Sequence, residues 1–260
     1  MKPTALVTGA SGGIGAELAR IIAADRYDLI LVARTVASMQ ALANELMAKH
    51  GINVTVLNAD LTQPNASAEL HRRVTAAGLQ VDVLVNNAGV GFFDFFYQQD
   101  ITRIHATNAL SITALTELTR MFLPDMVARK RGGVFNVAST AAYVPEPTMA
   151  VYAASKAYVL SFTIALSEEL KGTGVVATVL CPGPTKSDFF KSADMGNNPL
   201  VSSSMMMDAD VVARTGWSGF KQGQRVVIPG FRNRLTKVIG QLMPYRVMLP
   251  GIMRTLMARS

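Results

Sequence analysis

With 260 residues and 50% hydrophobic content the chain can bury one sizeable core, and it has no run approaching the ~18 uninterrupted apolar residues that a membrane-spanning helix needs. The formal net charge of +7 is uneven: residues 221–260 carry eight Lys and Arg side chains and no Asp or Glu, so everything before them is close to neutral. Zinc-type Cys/His spacings and dense Arg/aromatic stretches are missing, which argues against a metal site and a nucleic-acid partner, and the single cysteine, Cys181, excludes an intrachain disulfide.

The Met1-Lys2-Pro3 start runs directly into a strand-like segment rather than a signal-peptide core, so a reducing, cytoplasmic setting is expected. From there, short aliphatic or β-branched runs alternate with longer segments of helical period, the pattern of repeated βα units around a parallel sheet. The first run, Ala5 to Thr8, enters Thr8-Gly9-Ala10-Ser11-Gly12-Gly13-Ile14-Gly15 and then a helical pattern beginning near Gly13. Glycines at 9, 13 and 15 suit a tight turn, close approach of backbone to a pyrophosphate, and close packing of helix on strand. Between a first strand and a first helix they predict a dinucleotide site.

The second strand, Leu29 to Ala33, ends at Arg34, where a site preferring NAD presents a carboxylate to the ribose. A guanidinium there grips a 2′-phosphate instead, with the Ser11 hydroxyl as a second contact, so NADP(H) is the expected cofactor. A helix from Val36, a strand over Val54 to Asn58, a helix from Asn65 and a strand over Val83 to Asn86 come next. A long helix from about Gln98 holds Asn108 in its middle, and the fifth strand, Gly133 to Ala138, delivers Ser139 to the carboxyl edge of the sheet.

The helix from Thr148 carries Tyr152 and Lys156 four residues apart, on one face. An ammonium beside a phenol favours the phenolate, so Lys156 is expected to draw the Tyr152 pKa down toward neutrality, and Ser139 can hold a substrate oxygen. A sixth strand over Val175 to Leu180, a weakly periodic substrate loop over about 185–207, a helix from Asp208 and a seventh strand over Arg225 to Ile228 complete the domain, residues 1–230. The fold class is α/β: a doubly wound Rossmann fold with a parallel seven-stranded sheet in the order 3-2-1-4-5-6-7 and helices on both faces. Phe92 to Phe96 line a substrate entrance, pack in the core or contact a second subunit; the residues leave all three open.

Residues 231–260 form a basic extension. Leu235, Val238, Ile239, Leu242 and Met243 give one apolar helical stripe, and Ile252, Met253, Leu256 and Met257 a second after the interruptions at Pro244 and Pro250-Gly251, so two short helices are expected. Packing against the chain itself or a second subunit is expected ahead of weak membrane association.

Thr8-Gly-Ala-Ser-Gly-Gly-Ile-Gly15, Asn86-Asn-Ala-Gly89, Asn108, Ser139, Tyr152-Ala-Ala-Ser-Lys156 and Pro182-Gly-Pro-Thr185 stand in an order and spacing that resembles the short-chain dehydrogenase/reductase family, over nearly all of residues 4 to 229. The resemblance implies an oxidoreductase that interconverts a carbonyl and an alcohol, with a hydrophobic ketone, aldehyde or 3-oxoacyl compound as substrate, and a homodimer or homotetramer. It makes Tyr152 the acid/base, Ser139 the polariser of the substrate oxygen, Lys156 a ribose ligand, and Asn108 the holder of a relay water. The cofactor contacts it implies are Gly9, Ser11, Gly13, Ile14, Gly15, Arg34, Asp60 at the adenine, Asn86 near the adjacent ribose, Ala88, Gly89, Pro182, Gly183, and Thr185 at the carboxamide. The competing readings are a non-catalytic dinucleotide-binding redox sensor and a peripheral-membrane scaffold; the first is marked by loss of the Tyr or Lys, and both are present.

Overall fold

The computed structural model describes residues 2–193 and 206–257. Seven parallel strands, β1 (Thr4–Thr8), β2 (Asp28–Ala33), β3 (Val54–Asn58), β4 (Val83–Asn86), β5 (Gly133–Val137), β6 (Val176–Leu180) and β7 (Val226–Val227), form one sheet. Their order is β3-β2-β1-β4-β5-β6-β7, as the alternation of runs predicts. Leu6 pairs with Ile30 of β2 on one side and Leu84 of β4 on the other. The chain leaves β1 toward one edge and returns toward the opposite edge at β4, so the two halves part there and leave a crevice beyond the carboxyl ends of the strands.

Both faces of the sheet are covered, which is why its strands read as nearly continuous apolar runs. One face packs against α1 (Gly13–Ala24), α2 (Val36–His50) and α8 (Ala209–Lys221), around Leu18, Ile22, Met39, Leu46 and Trp217. The Trp217 indole N–H donates to Asp25 at 2.7 Å, and the same carboxylate pairs with Lys221. The other face packs against α3 (Ala66–Ala76), α5 (Leu115–Ala128) and α6 (Ala150–Glu169), around Leu70, Leu84, Leu118 and Met126.

The long helix expected from Gln98 is built differently. A short 3-10 turn at Phe96–Gln98 precedes α4 (Ile101–Asn108), which is capped by the Asp100 carboxylate accepting from the Thr102 N–H at 2.8 Å. A π-helical stretch over Ala109–Ala114 then joins α4 to α5, so Asn108 is the last residue of α4, at the junction, and not in the middle of a long regular helix. Such single-turn widenings shift the register of the side chains that follow and recur at functional sites. Of the substrate loop, α7 (Phe189–Ser192) and the pairing of Thr185 with Met207 are described; 194–205 lie outside the described residues.

Beyond β7 the extension is two helices, α9 (Phe231–Leu242) and α10 (Tyr245–Met257). The break falls at Pro244 as expected, but Pro250 lies inside α10, which starts before it.

Candidate active site

The fold brings each strand end to one edge. Gly9 follows β1, Ala33 and Arg34 close β2, Asp60 follows β3, Asn87 follows β4, Ser139 follows β5 and Pro182 follows β6, and all of them line a single cleft of about 420 Å³. A groove of about 530 Å³ between α1, α2 and α8 is larger, but it is walled by mutually paired charges such as Arg20 with Glu17 and Glu45, and holds none of the expected residues.

The dinucleotide end is shaped by the turn before α1. Gly9 takes a φ of +66°, and its N–H donates to the Val32 carbonyl at 2.8 Å, which folds the turn back over β2. Among the described residues no side-chain hydrogen bond caps α1, a Cβ on Gly12 would meet nothing within 4 Å while one on Gly13 would lie 3.1 Å from Ser187, and the first turn lines the cleft with Ser11, Gly12, Gly13 and Ile14. That cradle fits a pyrophosphate at a helix N-terminus. Arg34 is exposed at the rim. Opposite it, burial works against the Asp60 carboxylate, but hydrogen bonds from Thr62 and Gln63 and the Arg34 charge outweigh it and hold the carboxyl below its usual range.

Gly15 is not a cleft residue. A Cβ there would overlap the Gly9 carbonyl oxygen and the Asn87 side chain, so this glycine serves the packing of α1 on the turn. Asn86 also departs from expectation. It is buried at the end of β4 and points into the sheet, where its side-chain N–H groups donate to Thr119 Oγ1 at 3.1 Å and Asn136 Oδ1 at 2.9 Å. The next residue, Asn87, reaches the cleft and donates from Nδ2 to the carbonyls of Thr8 and Gly9 at 3.0 and 3.2 Å, tying β4 to the glycine turn.

At the other end, Ser139, Tyr152 and Lys156 converge, together with Ala88, Gly89, Gly183 and Thr185. Ser139 Oγ accepts from the Ala141 N–H at 3.1 Å, which holds its side chain at the start of a 3-10 turn over Thr140–Tyr143. Tyr152 opens on the cleft on one side, while protein atoms crowd the rest of the ring. That burial pushes its pKa up; a hydrogen bond with the Ser139 side chain acts the other way and does not overcome it.

Lys156 does not draw the Tyr152 pKa down as the spacing suggested. Its Nζ stands 5.6 Å from the Tyr152 ring centroid and donates to the Val137 carbonyl at 3.0 Å. The lysine is itself the perturbed group: 5% exposed, it is pushed down to about 8 by burial. Asn108, half-buried at the α-to-π junction, does not line the cleft. The π-helical stretch brings Ser111 behind the cleft residues Gly89 and Lys156: a Cβ on Gly89 would lie 3.3 Å from Lys156 Nζ and 3.7 Å from Ser111 Oγ, and that buried hydroxyl has no partner among the described residues.

Two further features escaped the sequence. Glu146 lines the cleft, close enough to Tyr152 for its charge to raise the tyrosine's pKa, and burial pushes the carboxyl itself up to about 7. Its Pro145-Glu146-Pro147 setting reads only as a turn. Beside Tyr152, Met149, Phe189 and Phe190 line the cleft as an apolar wall, and Phe93 packs in the same cluster without lining the cleft. Cys181 is fully buried as expected; burial pushes its thiol up to about 12, and it accepts from the Tyr143 hydroxyl at 3.8 Å.

A sequence model of the family described as short chain dehydrogenase matches residues 3–198. The ketoacyl reductase HetN of Nostoc sp. (strain PCC 7120) is 30% identical over 250 residues, 96% of this chain and 82% of that one. A very-long-chain 3-oxoacyl-CoA reductase of Phaeosphaeria nodorum is 36% identical over 178 residues, 66% of this chain. The match spans 51% of that relative's length, about half. Among solved structures, a short-chain dehydrogenase from Sphingobium yanoikuyae in complex with NADPH superposes with a TM-score of 0.83 at 32% identity, covering 96% of this chain and 95% of that one.

Proposed function

The chain belongs to the short chain dehydrogenase family, and from that premise we propose that it is an oxidoreductase of the carbonyl/alcohol type, an NADP(H)-dependent reductase of a hydrophobic ketone or 3-oxoacyl substrate. The observation that carries this reading is the convergence of Ser139, Tyr152 and Lys156 on one cleft whose other end is an open helix N-terminus. Arg34 at the end of β2 supports the phosphorylated dinucleotide: it would hold the 2′-phosphate, where a carboxylate would repel it. The first-turn N–H groups of α1 would hold the pyrophosphate, Asp60 the adenine, Lys156 the nicotinamide ribose and Thr185 the carboxamide. The bound dinucleotide supplies the hydride.

The protein's share is the proton and the oxygen. Burial favours the protonated Tyr152 phenol, the state that would donate in the reducing direction. As charge grows on the substrate oxygen, Ser139 Oγ–H stabilises it and Tyr152 passes its proton to it. Lys156, with a pKa near neutrality, and the unpartnered Ser111 hydroxyl lie where a proton returning to Tyr152 would travel. The apolar wall of Met149, Phe189 and Phe190 next to Tyr152 supports a hydrophobic substrate, and the acyl and ketone reductions named for the relatives are of that kind.

The test is NADPH oxidation, followed at the nicotinamide absorbance, with hydrophobic ketones and 3-oxoacyl thioesters, using the parent and Tyr152→Phe. The parent turns over at least one of these, and the variant binds NADPH with turnover reduced by about two to four orders of magnitude. A Tyr152→Phe protein that keeps a tenth or more of the parent rate removes tyrosine from the mechanism.

A further inference from the structure

Helix α9 is mounted the wrong way round for a helix of a globular core. Its apolar residues Phe231, Leu235, Val238 and Leu242 recur at i, i+4, i+7 and i+11, on one stripe, and that stripe faces outward: they are 80%, 48%, 45% and 77% exposed. The opposite side, turned to the protein, is polar or small. Asn233 donates to the Pro229 carbonyl at 2.7 Å, Lys237 Nζ lies 5.8 Å over the Tyr143 ring, and buried Gly240 lets the helix come so close to the Tyr143 carbonyl that a Cβ would clash with it. Exposed Arg232 and Arg234 flank the stripe, and Arg246 stands with exposed Tyr245 and Val247 at the start of α10.

We propose that this outward apolar stripe with its arginine borders is an interfacial membrane-binding face that lays α9 on an anionic lipid surface. Water-exposed Phe and Leu at this spacing need a cover, and the flanking charges select it. A second copy of the chain meeting the stripe by two-fold symmetry would set Arg232 and Arg234 of both copies against each other in a tail that has no carboxylate to pair them. An anionic bilayer instead accepts the apolar side chains among its acyl chains while its head groups meet the arginines.

The contact is peripheral. Among the described residues, α6 alone is long and apolar enough to cross a membrane, and it is packed into the domain with Lys156 buried on it. α9 also adjoins the cleft, since Asn233 fills the space where a side chain on the cleft residue Gly183 would stand. A bilayer on α9 therefore lies beside the cleft's entrance, although the binding itself does not depend on the catalytic reading.

The experiment is co-sedimentation of the full chain with vesicles of phosphatidylcholine alone and with about a third phosphatidylserine. It includes two double variants at exposed positions, Phe231→Ser with Leu242→Ser and Arg232→Glu with Arg246→Glu, whose folding is checked by circular dichroism. The parent sediments with the anionic vesicles and not the neutral ones, salt releases it, and each double variant partitions at least about tenfold less. A parent that stays in the supernatant with anionic vesicles, or variants that bind as well as the parent, overturns the proposal. So does a parent that fails to sediment and runs as a dimer in gel filtration that Phe231→Ser with Leu242→Ser converts to monomer, because the cover is then a second copy.

Discussion

Replacing Lys156 by Met should make the cofactor-free protein more stable at neutral pH while abolishing turnover. Burial lowers the Lys156 pKa from 10.5 to about 8, which corresponds to about 3 kcal/mol spent on holding an ammonium in the domain interior. Met fills nearly the same volume without the charge, but it abandons the 3.0 Å hydrogen bond to the Val137 carbonyl, and an unpaired buried carbonyl costs about 1–2 kcal/mol. The net expectation at pH 7 is a gain of about 1–2 kcal/mol. The sign reverses with pH. Between pH 8 and 10.5 the unfolded chain holds more protons than the folded one, so the parent grows more stable across that window, and above it only the lost hydrogen bond separates the two proteins. Urea melts of both proteins at pH 7 and at pH 10.5 measure this directly. A Met variant less stable than the parent at pH 7, or a difference that does not change with pH, would show that burial of the ammonium is not what depresses the lysine.

Three other outcomes follow from the same geometry. Ala33→Asp with Arg34→Ser should weaken NADPH binding about tenfold or more and improve NADH binding, read by fluorescence titration; unchanged NADPH affinity places the 2′-phosphate away from β2. Glu146→Gln removes a carboxyl whose folded pKa of about 7 lies above its ordinary 4.5, so the native parent binds more protons between those values and loses stability as pH rises through them. The Gln variant should exceed the parent by up to about 3 kcal/mol in urea melts at pH 8 and by much less at pH 5; equal margins at both pH values would refute it. Gly15→Ala should cost about 2 kcal/mol or more and shift the urea midpoint accordingly, because its Cβ meets backbone oxygen that no rotamer change can move; a midpoint within error of the parent refutes the close packing of α1.

The fold was legible because its signals are local or binary. Strands buried on both faces must be apolar throughout, helices covering them must carry a periodic stripe, and glycines must stand where the turn demands them. The order of the strands followed once the βα alternation was read. What was not legible depended on contacts between distant segments. No composition marks Ala109–Ala114 as π-helical; that widening lies where the helix passes from α4, beside α6, to α5. The stripe on α9 was visible as a period, yet a period is silent about direction, and the polar inward side is set by Tyr143, Gly183 and Pro229, none of them near it in sequence except the last.

The site divides along the same line, and the pair Asn86-Asn87 shows why. Successive residues at a strand end point to opposite sides. Asn86 is the last residue of β4 and is turned inward, where Thr119 and Asn136 accept its amide N–H groups, so the cleft receives Asn87. One residue of register separates a buried structural amide from one that braces the glycine turn, and two adjacent asparagines offer no chemical difference by which to choose. Tyr152 and Lys156 raise the converse problem. Their spacing correctly placed both on one face, but spacing carries no information on burial, and burial sets both pKa values here: it keeps the phenol protonated and brings the ammonium close to neutrality. Under the proposed function the pair would therefore act less as a charge lowering a neighbour's pKa than as two groups moved in opposite directions by the same burial, a phenol that would keep its proton for the substrate oxygen and a lysine whose lowered pKa would let it pass one on.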